Sequence, residues 1–342
     1  MATGEYGPAA GSAVTSVPDA AALLEEWTDL AAVAPGDRLF RTRRMARPAR
    51  LDLRAGLRET DAAPCLVVSP GTAGGAITSF ETGGLRLSRV ADPAGVLLVL
   101  SLEEPARRDL FAAVCSDCLR AVIRGEDEAE DDLLSMFAAR LSAWRAFLRD
   151  QTGALSRSEM IGIIGELLLF GQLLDIGADA LGAWKAPDDG LHDFENAGDS
   201  IEVKTSLGGA RQLHVSTLDQ LDDAGLTSLH VAHVRLIEAS DGETLEDIAD
   251  RIETQLSGER ARSAFRNALL RRGLAPGADD DLGPRVRMAG TDFYAVRDGF
   301  PRLRRGELAL GITDATYQLE VRALTGFQED AAAVLSRFGG GQ

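Results

Sequence analysis

Lysine is almost missing from this 342-residue chain: Lys185 and Lys204 are its two lysines, and arginine carries the rest of the positive charge. An ordinary surface cation here is an arginine, so a lysine set among acids calls for a reason. An ammonium is a compact charge whose pKa shifts readily on burial, whereas a guanidinium stays protonated. Lys204 reads as a position where only the amine serves. Cysteine is nearly as rare. Cys65, Cys115 and Cys118 supply neither an even disulfide framework nor two metal-binding pairs, and Cys115-Ser116-Asp117-Cys118 falls on an expected helix, so all three read as structural. No apolar run approaches the ~18 residues that suggest a membrane span. The stretch Met1 to Val17 has neither the basic nor the apolar part of a signal peptide, and a cytoplasmic location is expected. Helix-turn-helix spacing, zinc-finger spacing and long internal repeats are also missing. Gly71 to Gly75 lacks a Gly-Lys-Ser/Thr ending and reads as a turn rather than a phosphate loop.

Acids outnumber bases, 53 to 36, for a formal net charge of −17. That balance excludes a sequence-blind DNA coat protein and makes any nucleic-acid contact local. Arginines do concentrate in places. From Arg38 to Arg58 they include Arg41, Arg43, Arg44, Arg47, Arg50 and Arg54, which suits either phosphate contact or pairing with the chain's own acids. A helix from Glu259 to Arg272 and the stretch Asp292 to Arg305, with Arg297, Arg302, Arg304 and Arg305, make the C-terminal third the better DNA-facing candidate.

The densest chemistry lies between Pro187 and Ser206. Ser200 to Ser206 alternates as a strand, with Ile201, Val203 and Thr205 on one face and Ser200, Glu202 and Lys204 on the other. Asp193-Phe194-Glu195 is a second extended run, and Ala197-Gly198 is a turn between them. In that register Phe194 faces Ile201, Asn196 faces Asp199, and Asp193 faces Glu202. Like charges opposed at ~5 Å destabilise a hairpin, so these two carboxylates call for a cation. Upstream, Ser156-Arg157-Ser158-Glu159 is a capping box opening a helix that is apolar nearly all round. Glu166 lies within it, flanked at helical spacing by Gly162, Ile163, Leu169 and Phe170, so it is expected in the interior or a cleft wall. Such an acid needs an arginine partner or a place in a site.

These residues resemble the PD-(D/E)XK nuclease superfamily, whose motif is an acid on one strand and Glu-x-Lys on the next. Asp193 and Glu202-Val203-Lys204 fill the pattern, and Glu166 matches the additional helix acid. Asp188, after Pro187, is the other candidate for the first acid; Asp193 is preferred because it faces Glu202. The set Gly165-Glu166-Leu167-Leu168, His192-Asp193-Phe194, Glu202-Val203-Lys204-Thr205 and Asp298 to Leu303 looks like a group of bacterial PD-(D/E)XK proteins associated with restriction and phage-defence gene clusters. The resemblance implies an α/β (α+β) fold, a restriction-endonuclease-like core with a central mixed sheet flanked by helices. It implies an Mg²⁺-dependent deoxyribonuclease, with Mn²⁺ as a substitute. Asp193, Glu202 and the Val203 carbonyl would hold the metal, Glu166 a second ion or its water, and Lys204 would position water or stabilise the pentacovalent state. Gln220 would face the site, or else be an exposed amide. DNA is the implied partner, along with defence-cluster proteins that include an ATPase. A catalytically silent DNA-binding or assembly subunit is the alternative, as is an unrelated protein in which Glu202 and Lys204 form a surface ion pair.

Along the chain, residues 1–18 are expected to be disordered, 19–125 to form an N-terminal α+β region, 126–240 the nuclease core, and 241–338 a helical region with an arginine-rich surface. Leu213 to Ser216 is expected as the third core strand, giving α-β-β-β-α-β between 156 and 236. His230 and His233 fall on opposite strand faces and read as structural, and Asp279-Asp280-Asp281 as a solvated loop.

Overall fold

The computed structural model describes residues 17–46, 51–69, 77–92, 95–125, 127–150, 155–276 and 283–340. Residues 1–16 of the expected tail (1–18), Arg47, Arg50, the Gly71–Gly75 turn and the Asp279–Asp281 loop lie outside them. The chain divides into two compact units, 1–145 and 146–342.

The first unit begins with α1 (Ala20–Ala32), capped by Asp19, whose carboxylate accepts from the Ala22 N–H. Its strands β1 (Phe40–Ala46), β2 (Asp52–Arg58), β3 (Pro64–Ser69), β4 (Phe80–Thr82), β5 (Leu85–Asp92) and β6 (Gly95–Leu102) form an antiparallel sheet in the order β1-β2-β3-β6-β5-β4. Two helices follow, α2 (Arg108–Arg124) and α3 (Glu130–Asp150), the latter crossing the boundary between units. Trp27 of α1 stacks on Phe111 of α2 at 5.2 Å. The arginine run lies on β1 and β2, where the chain's own acids take it up: Arg41 pairs with Glu59, Arg43 with Glu26, and Arg44 and Arg54 with Asp52. These arginines are a compensated strand surface. Cys65, Cys115 and Cys118 are buried free thiols, and burial pushes the Cys65 thiol up to about 12, which keeps it inert.

The second unit opens with α4 (Arg157–Asp175), started by the expected reciprocal capping between Ser156 and Glu159. The one-turn α5 (Ala180–Ala183) and a 3₁₀ turn at Ala186–Asp188 lead into β7 (Phe194–Asn196) and β8 (Asp199–Leu207). Then come β9 (Gln212–Val215), a 3₁₀ turn at Leu218–Leu221, and the long β10 (Ser228–Glu243). The remainder is α6 (Leu245–Gln255), α7 (Glu259–Arg271), β11 (Val286–Ala295), β12 (Tyr317–Glu320), β13 (Gln328–Glu329) and α8 (Ala331–Gly339). The central sheet runs β13-β11-β10-β8-β7; β8 and β10 are parallel and the other pairs antiparallel, so the sheet is mixed and flanked by helices, as expected. No helix among the described residues is long and apolar enough to cross a membrane.

Two expectations change. The third core strand, β9, pairs with β12 in a separate two-stranded sheet, because its buried residues Leu213 and Val215 pack with Leu319 and Phe300 in a second apolar cluster over Leu229 and Val231 of β10. The region from 241 onward is also more than helical: β11 pairs with β10 from Val286 to Ala295 and carries the buried Phe293, Tyr294 and Ala295 into the sheet.

On the other face, α4 packs against β8 with Ile163, Ile164, Leu167 and Phe170 over Ile201 and Val203. Gly165 sets the distance between them. A Cβ at that position would lie 1.8 Å from the Thr205 hydroxyl oxygen and 2.9 Å from its Cβ, so only glycine lets the helix backbone come this close. That approach carries the next residue, Glu166, to β8. Gly165→Ala is therefore expected to destabilise the protein by about 1–3 kcal/mol in urea denaturation, and Thr205→Ala in the same chain to recover part of the loss. An unchanged midpoint for Gly165→Ala would contradict the close approach.

Candidate active site

The hairpin holds the register its turn predicts, with Phe194 opposite Ile201 and Asn196 opposite Asp199. Ala197 and Gly198 both have positive φ, 49° and 93°, which is the twist a two-residue hairpin turn needs. Pairing ends at Phe194, so β7 is too short to cover the edge of β8 beyond Ile201. Asp193, one residue before β7, fills the gap with its side chain: Oδ2 accepts from the Val203 N–H at 2.7 Å. Its main-chain carbonyl accepts from the N–H groups of Lys185 (2.8 Å) and Ala186 (3.3 Å), which fixes it from the other side. Asp193 is thus tied to the strand bearing Glu202 through the backbone between Glu202 and Lys204.

Glu202 and Lys204 point to the face of β8 opposite α4, where Glu202 is in register with Val231 and Lys204 with His233. The Lys204 Nζ donates to Glu202 Oε1 at 2.7 Å and to Gln220 Oε1 at 3.0 Å. Gln220 also receives the Ser216 N–H at 3.1 Å, so the turn at Leu218–Leu221 holds its carbonyl toward the amine. The ion pair is not on the surface: the Lys204 and Glu202 side chains are 12% and 4% exposed.

Glu166 comes from the α4 face. Its Oε2 accepts from the Trp184 Nε1 at 3.0 Å and its Oε1 from Arg272 Nη2. The arginine partner that a buried helix acid called for is therefore present, and both carboxylate oxygens are engaged. Trp184 is itself fixed edge-on against Phe170 at 5.6 Å. Asp188, the alternative first acid, is exposed and paired with Arg271 at 2.9 Å, with no bond to β8. Trp184 and Arg272 were not legible in the sequence, since neither lies in a motif and their approach to Glu166 is a matter of packing. Of the candidate cations between Asp292 and Arg305, Arg302 and Arg305 bond Asp223 and Asp219 around the Gln220 turn.

The three acids strain one another. Burial, then Asp193, pushes the Glu202 carboxyl up to about 8 against the pull of Lys204, and Glu166 adds to the push. Burial and Asp193 raise Glu166 to about 7, while Arg272 and Trp184 oppose. Asp193 is raised by burial, with the Val203 N–H, Lys204 and Arg272 opposing. Desolvation thus acts in the same direction on all three, and like charge adds to it at Glu202 and Glu166. A hard cation takes oxygen ligands, and the carboxylates of Asp193 and Glu202 are donors of that kind. Among the described residues, however, no group of three or more His, Cys, Asp or Glu side chains is spaced to hold a metal. Glu166, with both oxygens bonded, stands apart from the pair.

His192, beside Asp193, is 1% exposed, and neither of its ring nitrogens has a good hydrogen bond. His230 and His233 are structural partners, of Glu329 (3.2 Å) and Ser206 (2.8 Å) respectively.

A carboxyl whose folded pKa lies above its unfolded value near ~4 contributes stability that is complete below that value and is lost as pH rises through the folded pKa. For Glu166 and Glu202 the loss builds up from the unfolded value and levels off only near pH 7 and 8 respectively. The buried histidines act in the opposite sense at lower pH, because burial lowers their pKa. The melting temperature in EDTA is therefore expected to fall from pH 6.5 to 8, by about 2–4 °C for each kcal/mol lost. Glu202→Gln should flatten the decline and Mg²⁺ should offset it at pH 8; differential scanning fluorimetry reads all three.

No curated protein and no solved structure matches the chain. A family model described as "Putative PD-(D/E)XK family member, (DUF4420)" matches residues 23–322, a span that contains Glu166, Asp193, Glu202, Lys204 and Gln220. The chain belongs to that family.

Proposed function

We propose that the protein is a metal-dependent DNA endonuclease that hydrolyses phosphodiester bonds at the open edge of β8. The observation that carries this reading is the joint engagement of Asp193 with the Val203 N–H and of Lys204 with Glu202, which gathers an acid, a Glu-x-Lys pair and a glutamine on one strand segment. Asp193, Glu202 and the Val203 carbonyl would hold Mg²⁺, or Mn²⁺, which supplies charge neutralisation at phosphorus and lowers the pKa of a bound water. Lys204 places a positive charge and hydrogen-bond donors beside that pair, suited to orienting the attacking water or stabilising the crowded phosphorus. Gln220 keeps the amine directed at the site, and burial of Glu202 and Lys204 limits bulk water around them. Glu166, held by Trp184 and Arg272, would stand beside the pair as the third acid. Family resemblance supports a role in restriction or phage defence alongside partner proteins, an ATPase among them.

A second reading is a catalytically silent DNA-binding or assembly subunit. It is favoured by one observation: the third acid is engaged elsewhere, and no three-ligand group is assembled among the described residues. Incubating the protein with plasmid and with oligonucleotides in Mg²⁺, Mn²⁺ or EDTA separates the two. The nuclease reading expects metal-dependent cutting that Lys204→Ala and Glu202→Gln each reduce by about 10²-fold or more. Binding without cutting under every metal condition, unchanged by either substitution, would leave the silent subunit in its place.

A further inference from the structure

Most arginines of the second unit that approach the site have found internal partners. Arg302, 3% exposed, donates to the Leu221 carbonyl (2.6 Å) and to Asp223 (2.8 Å). Arg305 grips Asp219 with two nitrogens, and Arg266 lies between Glu253 and Glu259. Arg271 pairs with Asp188 and the Pro187 carbonyl.

Arg272, which follows α7 directly, is different. A single nitrogen, Nη2, bonds Glu166; Nε is buried without a partner, and Nη1 makes no hydrogen bond among the described residues. Its side chain is nonetheless 30% exposed, so the guanidinium spans from the buried acid to solvent. Its charge also favours the ionised forms of Asp193 and Glu159. A cation at a helix C-terminus suits the dipole and needs no further role. An arginine used only as a counter-ion to a buried carboxylate would, however, be expected to present its two-pronged edge to it. Here a planar, permanently charged donor stands beside an acid site with most of its hydrogens unspent.

We propose that Arg272 receives the substrate phosphate: held to Glu166 through Nη2, it offers its Nη1 donors to a non-bridging oxygen of a phosphodiester. The assignment rests on the nuclease reading and deepens it. An acid-lined site repels a polyanion, and Lys204 is already committed to Glu202 and Gln220. Arg272 is a cation beside the acids with donors to spare, and its planar geometry matches phosphate better than an ammonium such as Lys185 would.

The test is binding of a fluorescent oligonucleotide, read by anisotropy with Ca²⁺ replacing Mg²⁺ so that the strand stays intact. Four proteins are compared: the natural sequence, Arg272→Gln, Glu166→Gln and the double variant. The double variant removes both charges of the pair together, which avoids leaving one buried and unpaired. Arg272→Gln is expected to weaken binding about 10-fold or more, and by a similar factor when Glu166 is already Gln. Arg272→Lys should restore part of the affinity, keeping the charge and losing the fork. If the loss vanishes in the Glu166→Gln background, Arg272 acts only as a counter-ion and the assignment is overturned. Unchanged binding in the natural background overturns it as well. If the natural protein binds no oligonucleotide in Ca²⁺, the nuclease reading falls together with it.

Discussion

Three largely desolvated carboxylates around one strand edge are the condition that the rest of the second unit answers to. Asp193, Glu202 and Glu166 come to β8 from its edge and from its two faces; Asp193 raises the proton affinity of the other two, and Glu166 adds to the effect at Glu202. The fold meets the cost with donors drawn from separate elements: the Val203 N–H for Asp193, Lys204 for Glu202, and Trp184 with Arg272 for Glu166. Burying like charges in this way works against stability. Such arrangements recur where a group must be held ready for chemistry rather than for the fold.

The surrounding architecture fits that demand. Because β7 stops after three residues, the edge of β8 stays open and a side chain, not a neighbouring strand, satisfies the Val203 N–H. Gly165 lets α4 settle on Thr205, which brings Glu166 within electrostatic reach of the other two acids. On the far face, β9 pairs with β12, and the Leu218–Leu221 turn that follows β9 delivers Gln220 to Lys204. Arg302 and Arg305 then fasten that turn to the C-terminal segment.

Much of this was legible because it depends on local chemistry. The alternation of Ser200 to Ser206, the Ala197-Gly198 turn and the apolar helix around Glu166 are short-range patterns, and each reappears in the structure. The arginine clusters were harder to read. A run such as Arg41 to Arg54 has one composition whether it faces a phosphate or an acid of its own chain, and only folding places Glu59, Glu26 and Asp52 against it. The same holds for β9, whose four residues read as a strand but do not say which sheet they join.

By itself, the sequence determined on what elements the candidate residues ride, since strand and helix periodicity follow from backbone geometry over a few residues. The tertiary structure alone decided who neutralises whom. Pairing Glu166 with Arg272, across more than a hundred residues, depends on how α4, α5 and α7 pack around Phe170, Trp184 and Phe265. Apolar contacts of that kind are non-directional, so their outcome is fixed only when the whole core is assembled.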